Sequence, residues 1–148
     1  MISFTNTITI DRPAEEVYAY LSDLEHIPEW NWAITKTRKI SEGPVTAGTR
    51  YEQTRHTPTT AVEQVVVIDL EPDRHLHIEG TLGPFHADLR YDIEPAGDQT
   101  QLTNRVELHG DIPALKLALA RLSIPRAVVS NLNALKTRLE QRSIGATD

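Results

Sequence analysis

Residues 74–110 read RHLHIEGTLGPFHADLRYDIEPAGDQTQLTNRVELHG. Apolar and polar residues alternate through three segments of strand length, at about 74–81, 85–94 and 100–110. Gly83-Pro84 separates the first two segments, and Pro95-Ala96-Gly97 separates the last two. Because short connections rich in Gly and Pro join antiparallel neighbours, this stretch predicts a three-stranded meander.

The same punctuation continues toward the N-terminus. Three further segments of strand length lie at about 34–42, 48–57 and 60–71, bounded by Gly and Pro. Residues 2–10, ISFTNTITI, alternate with period two and are rich in β-branched side chains, as in a strand with one apolar face. We therefore predict seven strands, of which the last six are consecutive antiparallel neighbours.

Helical signals occur at two places. Asp11 and Pro13 are typical of a helix start, and Pro28 interrupts the apolar stripe that follows, so a second short helix is expected at about 25–31. Residues 112–142 are helical by composition and follow the start signals Asp111 and Pro113. The sequence thus predicts an α+β chain with two short helices after the first strand and one long C-terminal helix.

The long helix has two apolar sectors. At about 100° per residue, Arg126 and a group of apolar residues share the first sector, which is predicted to face the sheet: Leu115, Ala118, Leu119, Leu122 and Val129. The second sector contains Ile124, Val128, Leu132, Leu135 and Leu139. We predict a kink or break at Pro125, where the sectors change over. Two interpretations stay open: the first half is buried on two sides, or it closes a cavity and hinges at Pro125.

Composition excludes several classes of protein. The 148 residues, 39% of them hydrophobic, suit one domain spanning residues 1–148. The net charge of −6 argues against a nucleic-acid partner, and the absence of cysteine removes disulfides, thiolate nucleophiles and Cys-ligated metals. No stretch approaches the roughly 18 apolar residues of a spanning helix, so we expect no membrane insertion and a cytoplasmic location.

Three stretches carry a family resemblance: DRPAEEVYAYLSDLEHIPEWN (11–31), ISEGPVTAGTRYEQTR (40–55) and DLEPDRHLHIEGTLGPFHADLRYDIEPAGDQTQLTNRVEL (69–108). From about residue 2 to 141 the chain resembles the START-like (SRPBCC) superfamily, most closely its bacterial polyketide cyclase/dehydrase-type branch. The resemblance implies a helix-grip fold, in which a curved seven-stranded antiparallel sheet wraps around the C-terminal helix and leaves a cavity for a hydrophobic ligand. It implies no cofactor.

Polar side chains interrupt several rows that we expect to face the interior. Asn104 interrupts an apolar row, Tyr91 lies in the next row, and Tyr51, Gln53 and Arg55 form a third. Because a buried polar group needs a hydrogen-bond partner, these residues form either a structural network or a set that orients a ligand. The candidate cavity residues are Trp30, Tyr51, Gln53, Arg55, Tyr91, Asn104, Leu119, Leu122 and Arg126.

Two surfaces raise further questions. A hairpin that pairs symmetrically around Leu82-Gly83 sets His77 opposite Asp88 on its outer face, with His75 and His86 nearby. This spacing would permit a shared ion, but imidazoles on an outer face are commonly just solvated, so we predict no metal. Residues 65–68 are apolar on both faces, which leaves open whether the N-terminal helices or a second subunit of a homodimer covers them.

Three functions are left open. The first is binding of a hydrophobic small molecule, such as a lipid, an isoprenoid quinone or a polyketide. The second is a polyketide cyclase/dehydratase-type enzyme that positions its substrate and uses pocket acid/base groups, for which Arg55, Tyr51, Tyr91, His56 and Glu63 are suitable by type. The third is a partner-binding protein with a filled core. Phosphoryl and hydride transfer are disfavoured because P-loop and dinucleotide-binding motifs are absent.

Overall fold

The computed structural model describes residues 1–57 and 59–146, with side chains described as far as Arg142, and Pro58 and residues 147–148 of the predicted domain lie outside it. Seven strands form one antiparallel sheet within these residues: β1 (Ile2–Ile10), β2 (Ile34–Lys39), β3 (Arg50–Arg55), β4 (Ala61–Glu71), β5 (His75–Leu82), β6 (Phe85–Ala96) and β7 (Gln99–His109). The strand order is β1-β7-β6-β5-β4-β3-β2, so consecutive strands from β2 to β7 are neighbours, as predicted. The first strand pairs with the last.

The helices also follow the predicted order. Helix α1 (Ala14–Ser22) and a 3₁₀ turn (Leu24–His26) lead into α2 (Ile27–Trp30), and the C-terminal helix is α3 (Ala114–Ala146). The Asp23 carboxylate accepts a hydrogen bond from the Glu25 amide at 3.2 Å and starts the 3₁₀ turn. This arrangement confirms the α+β helix-grip fold with two short helices after the first strand.

Of the predicted kink or break at Pro125, the break is wrong, because α3 runs through this residue. Proline lacks an amide hydrogen, so the Arg121 carbonyl loses its usual helical donor. Side chains on both sides of the proline, including Ile124, Val128 and Leu132, pack against the sheet along one sector. This continuous contact favours one helix, because a sharp change of direction would lift one of its halves off the sheet.

The core consists of two apolar clusters. The larger cluster joins α1, α2 and the sheet to the second half of α3 through Leu132, Leu135 and Leu139. The smaller cluster contains Ile2, Phe85, Ala87, Val106 and Leu108, and the first half of α3 packs against it through partly buried side chains. The second apolar sector of the sequence is therefore the one that faces the sheet.

The β5–β6 hairpin differs from the predicted register by two residues. Leu82 pairs with Phe85 around Gly83-Pro84, so His77 lies opposite Arg90 instead of Asp88. Gly83 has a φ of 60°, a conformation that glycine adopts without strain, and this allows the two-residue turn. A shift of two residues keeps every side chain on its predicted face.

Candidate functional site

A small inner pocket of about 90 Å³ lies where the two clusters meet, between the sheet, the short helices and α3. Its walls are mainly apolar. They include Leu21, Leu24, Ile27, Trp30, Val65, Leu76, Ile78, Ala87, Leu89 and Leu132. The two core clusters therefore leave room between them.

A larger outer cleft of about 510 Å³ lies between the first half of α3, the β5–β6 turn and the segment that follows α2. Five residues line both spaces and form the neck between them: Asn31, Arg55, Leu82, Val128 and Asn131. Leu119 and Ala120 of α3 face Gly83, Pro84 and Trp32 across the cleft. The inner pocket and the outer cleft therefore adjoin each other at these residues.

The neck contains a buried ion pair. Arg55 Nε donates to Glu63 Oε1 at 3.0 Å, and the Gln53 amide donates to the same oxygen at 3.2 Å. The Arg55 and Glu63 side chains are only 9% and 5% exposed. The antiparallel pairing of β3 with β4 sets Gln53 opposite Glu63 and turns all three residues inward. Glu63 thus fixes the guanidinium, whose other two nitrogens have no acceptor among the described side-chain hydrogen bonds.

Besides Gln53 and Arg55, the sheet brings the polar side chains of Tyr91 and Asn104 to the inner pocket. Asn104 of β7 and Tyr91 of β6 are paired across the strands, and both line the pocket. The buried Asn104 Oδ1 has no donor within the described residues. The Tyr91 hydroxyl has no side-chain hydrogen bond there either, and burial raises its pKa, so it stays protonated at physiological pH. The Asn104 oxygen can therefore accept a hydrogen bond from a ligand, and the Tyr91 hydroxyl can donate one.

The two tryptophans differ in environment. Trp30 ends α2 and is buried against the inner pocket, whereas Trp32 is 61% exposed at the cleft. His56 Nε2 lies 2.5 Å from the Trp32 carbonyl, and the His56 ring packs edge-on against the indole at 5.6 Å. These contacts hold Trp32 at the rim.

The structure brings together most of the predicted cavity residues. Trp30, Gln53, Arg55, Tyr91 and Asn104 line the inner pocket, and Leu119 lines the cleft. Tyr51 faces inward as predicted but is fully buried in the larger cluster and does not line either space, and burial raises its pKa to about 12.

The predicted inward orientation of Leu122 and Arg126 is wrong. Both lie on the outer face of α3, where Leu122 is 64% exposed. The physical reason is that Leu132, Leu135 and Leu139 bury the second apolar sector and fix the rotation of the whole helix. The first sector must then face away from the sheet.

Asn31 and Asn131 at the neck were missed by the sequence reasoning. Asn131 had a detectable signal, because it interrupts the stripe Ile124, Val128 and Leu135 at helical spacing. Asn31 accepts a hydrogen bond from the Ala33 amide at 3.1 Å, and only the turn after α2 brings it to the neck.

On the convex face of the sheet, His77, Glu79 and Asp88 bring possible metal-binding atoms within 4.8 Å of one another. His77 Nε2 lies 2.5 Å from Asp88 Oδ1, and Arg90 Nε is 3.6 Å from the same oxygen. His86 lies 3.8 Å from Glu79. Each of these carboxylates thus has a basic partner on the same strand or on the neighbouring strand of the hairpin. Among the described helices, none is long and apolar enough to cross a membrane.

Residues 1–140 match the sequence model of the family described as polyketide cyclase / dehydrase and lipid transport. The chain therefore belongs to this family, which confirms the predicted polyketide cyclase/dehydrase-type branch. Among curated proteins, none matches the sequence significantly.

Solved structures show the same fold. The Zhui aromatase/cyclase from Streptomyces sp. R1128 is 18% identical with a TM-score of 0.77, and the match covers 95% of this chain and 94% of that one. A START superfamily protein from Mycobacterium smegmatis is 19% identical with a TM-score of 0.74 and coverages of 94% and 97%. The di-domain ARO/CYC StfQ from the steffimycin biosynthetic pathway is 15% identical with a TM-score of 0.76, covering 96% of this chain and 52% of that one.

Proposed function

We propose that this protein binds an apolar small molecule with at least one hydrogen-bonding oxygen, held in the inner pocket and outer cleft. The observation that carries the proposal is a mainly apolar space into which Arg55, Tyr91 and Asn104 bring unused hydrogen-bonding capacity. Small-molecule sites commonly combine apolar walls with a few convergent polar groups. The family, which includes lipid transport, supports this proposal.

Charge narrows the class of ligand. Glu63 neutralises Arg55, so the neck holds an ion pair and not a free cation. The guanidinium can still donate to a carbonyl, hydroxyl or carboxylate oxygen, and the Tyr91 hydroxyl can donate further inside. A quinone, a polyketide or a lipid with a polar end would each offer such oxygens, and an apolar chain or ring would fill the cleft of about 510 Å³.

Native mass spectrometry of the purified protein, followed by denaturing extraction, tests this proposal. We expect a stoichiometric apolar molecule, or uptake of a fluorescent fatty acid or aromatic probe by the empty protein. Ala120→Trp, which fills the cleft from α3, should abolish retention, whereas Ala118→Trp on the exposed face should not. An empty protein that takes up no probe, or equal retention by both variants, would reject the proposal.

A second candidate function is catalysis on a polyketide-like substrate. It is favoured by the buried Arg55–Glu63 pair, because a fixed guanidinium can polarise a substrate carbonyl while the pocket excludes water. If the protein is such an enzyme, Arg55→Leu should retain an aromatic probe but lose conversion of a poly-carbonyl substrate. If the wild type binds this substrate without converting it, catalysis is rejected and only the ligand-binding function is retained. The partner-binding alternative required a filled core, and the space between the two clusters counts against it.

A further inference from the structure

The outer face of the first half of α3 carries a row of exposed apolar residues. Leu115, Leu119, Leu122 and Val129 are 74%, 59%, 64% and 44% exposed. Their spacings of four, three and seven residues place them, with Arg126, in a sector roughly 80° wide. Exposed leucines are normally scattered singly, and a contiguous row is typical of an interaction surface. We call these five residues the outer row.

The charged residues of α3 that lie near the outer row are all basic. Between Asp111 and Glu140 the sequence has five basic residues and no acidic residue, although the chain has a net charge of −6. Lys116, Arg121 and Arg126 belong to the half of α3 that carries the outer row, and the ion pairs of the described chain do not include them. Among the described hydrogen bonds, Arg121 donates to the Met1 carbonyl at 3.2 Å. This face is therefore complementary to an anionic surface.

The outer row also borders the mouth of the outer cleft. Leu119 belongs to the outer row and lines the cleft, and Lys116 lines the same rim. The exposed indole of Trp32 faces them from the segment after α2. An indole with one apolar and one polar edge suits the boundary between hydrocarbon and water. The cleft thus opens beside a surface that is apolar, aromatic and positively charged.

A second copy of the chain fits this face poorly. Pairing two outer rows would bring Arg126 and its basic neighbours against the same residues, and like charges across an interface oppose association. Acidic residues that would compensate them are absent from this part of α3.

We propose that the outer row and the rim of the cleft dock on a membrane surface that contains anionic lipids. The leucines and Trp32 enter the interfacial layer, while Lys116, Arg121 and Arg126 contact lipid phosphates. The helix lies along the surface and does not span it, because the segment 114–125 is only about 18 Å long. The mouth of the cleft then faces the lipid, and an apolar molecule can pass between them without crossing water.

Flotation with vesicles tests this docking. Vesicles of phosphatidylcholine mixed with phosphatidylglycerol should bind the wild type, and vesicles of phosphatidylcholine alone should bind it at least about tenfold less. Lys116→Glu with Arg126→Glu should remove the binding. The matched control Lys36→Glu with Arg50→Glu makes the same change in net charge at exposed sites on β2 and β3, and should leave most of it.

A second pair of variants tests the apolar contribution. Leu115→Gln with Leu122→Gln removes two exposed leucines while keeping good helix formers, so the fold should persist and vesicle binding should fall about tenfold or more. Val62→Thr with Ile68→Thr removes exposed apolar surface from β4 and should not change binding. In Trp30→Phe, where Trp32 is the remaining tryptophan, emission should shift to the blue with anionic vesicles.

Three outcomes would overturn the inference. The first is that the wild type does not bind anionic vesicles, and the second is that the outer-row variants and their controls lose vesicle binding equally. The third is a dimeric wild type that becomes monomeric when Leu115 and Leu122 are replaced, because this would assign the outer row to contact with a second copy. Vesicle binding is measured without added ligand, and ligand retention is measured separately. A protein that retains a ligand but ignores vesicles therefore rejects the docking and keeps the proposed function.

Discussion

The two halves of α3 belong to one continuous helix but play different structural parts. In the second half, Leu132, Leu135 and Leu139 are buried in the larger cluster. Hydrogen bonds also hold it, from Lys136 to the Thr9 carbonyl at 2.7 Å and from the Asp11 amide to Glu140 at 2.8 Å. The Lys136 ammonium, which donates to the Glu140 carboxylate at 2.6 Å, and the Asp11 amide lower the pKa of Glu140.

The first half, by contrast, has no fully buried residue between Ala114 and Asn131. Its inward side chains, such as Leu117 and Ile124, are partly buried against the smaller cluster, and others line the cleft. A cavity can therefore persist beside one part of a helix when another part of the same helix supplies the packing. The second half anchors α3, and the first half acts as a wall.

Replacing one leucine in each half of α3 by alanine tests this difference most directly. Leu135→Ala should lower the free energy of unfolding by about 2–5 kcal/mol, because it leaves a void in the larger cluster. Leu122→Ala should change it by no more than about 0.5 kcal/mol, since this side chain is mainly exposed. Urea denaturation measures both. Similar losses at the two sites would mean that the halves contribute equally.

Among changes to the inner pocket and the outer cleft, breaking the buried Arg55–Glu63 pair should lower the free energy of unfolding most. Glu63→Gln keeps the size of the side chain but leaves Arg55 without its counter-charge, so we expect a loss of about 2–3 kcal/mol in urea denaturation. Glu52→Gln breaks an exposed pair with Arg38 on the other face of β3 and should cost less than about 0.5 kcal/mol. Equal costs would show that the neck is open to water.

The packed side should also respond to alkaline pH through Tyr51. The unfolded chain releases this proton at its ordinary pKa of 10.0, whereas burial raises the folded pKa to about 12. Stability is therefore fully present below pH 10 and is lost as the pH rises toward 12, by on the order of 2 kcal/mol. Denaturation curves across this window measure the loss. Tyr51→Phe should make the decline shallower, and an unchanged slope would contradict this assignment.

Among the buried residues considered, Asn104 should affect stability least when it is replaced. Asn104→Leu removes a buried oxygen that has no donor, so the free energy of unfolding should stay the same or rise by about 1 kcal/mol. If Asn104 orients the proposed ligand, retention of an aromatic probe should fall about tenfold in this variant, because one hydrogen bond to the ligand is lost. Asn133→Leu on the exposed face of α3 is the matched control. A stability loss of several kcal/mol with normal retention would make Asn104 a structural residue.

The sheet could be predicted in detail because its signals are local. Period-two alternation and the Gly-Pro connections give the strands, and they also give the inward row Tyr51, Gln53 and Arg55. The register of the β5–β6 hairpin could not be predicted in this way, because a shift of two residues leaves the alternation of apolar and polar faces unchanged. The turn at Gly83, with its positive φ, sets the register.

The rotation of α3 could not be predicted in the same way. A helix with two apolar sectors has no unique phase, and the choice here depends on how deeply Leu132, Leu135 and Leu139 enter the larger cluster. For that reason the prediction turned the first sector toward the sheet, whereas Leu122 and Arg126 lie on the outer face and Leu119, which is 59% exposed, only borders the outer cleft. Asn31 and Asn131 were not predicted as site residues for a related reason, because only tertiary packing brings them to the same pocket.

Pro125 has a kinetic consequence. The missing amide hydrogen interrupts the helical hydrogen-bond ladder between the wall and the anchor, so the two halves need not open as one cooperative unit. Amide protons of residues 117–124 should therefore exchange with solvent much faster than those of residues 132–139. Local opening of the first half of α3 would admit molecules that are larger than the outer cleft. The rate of their entry would then depend on this local opening and not on global unfolding.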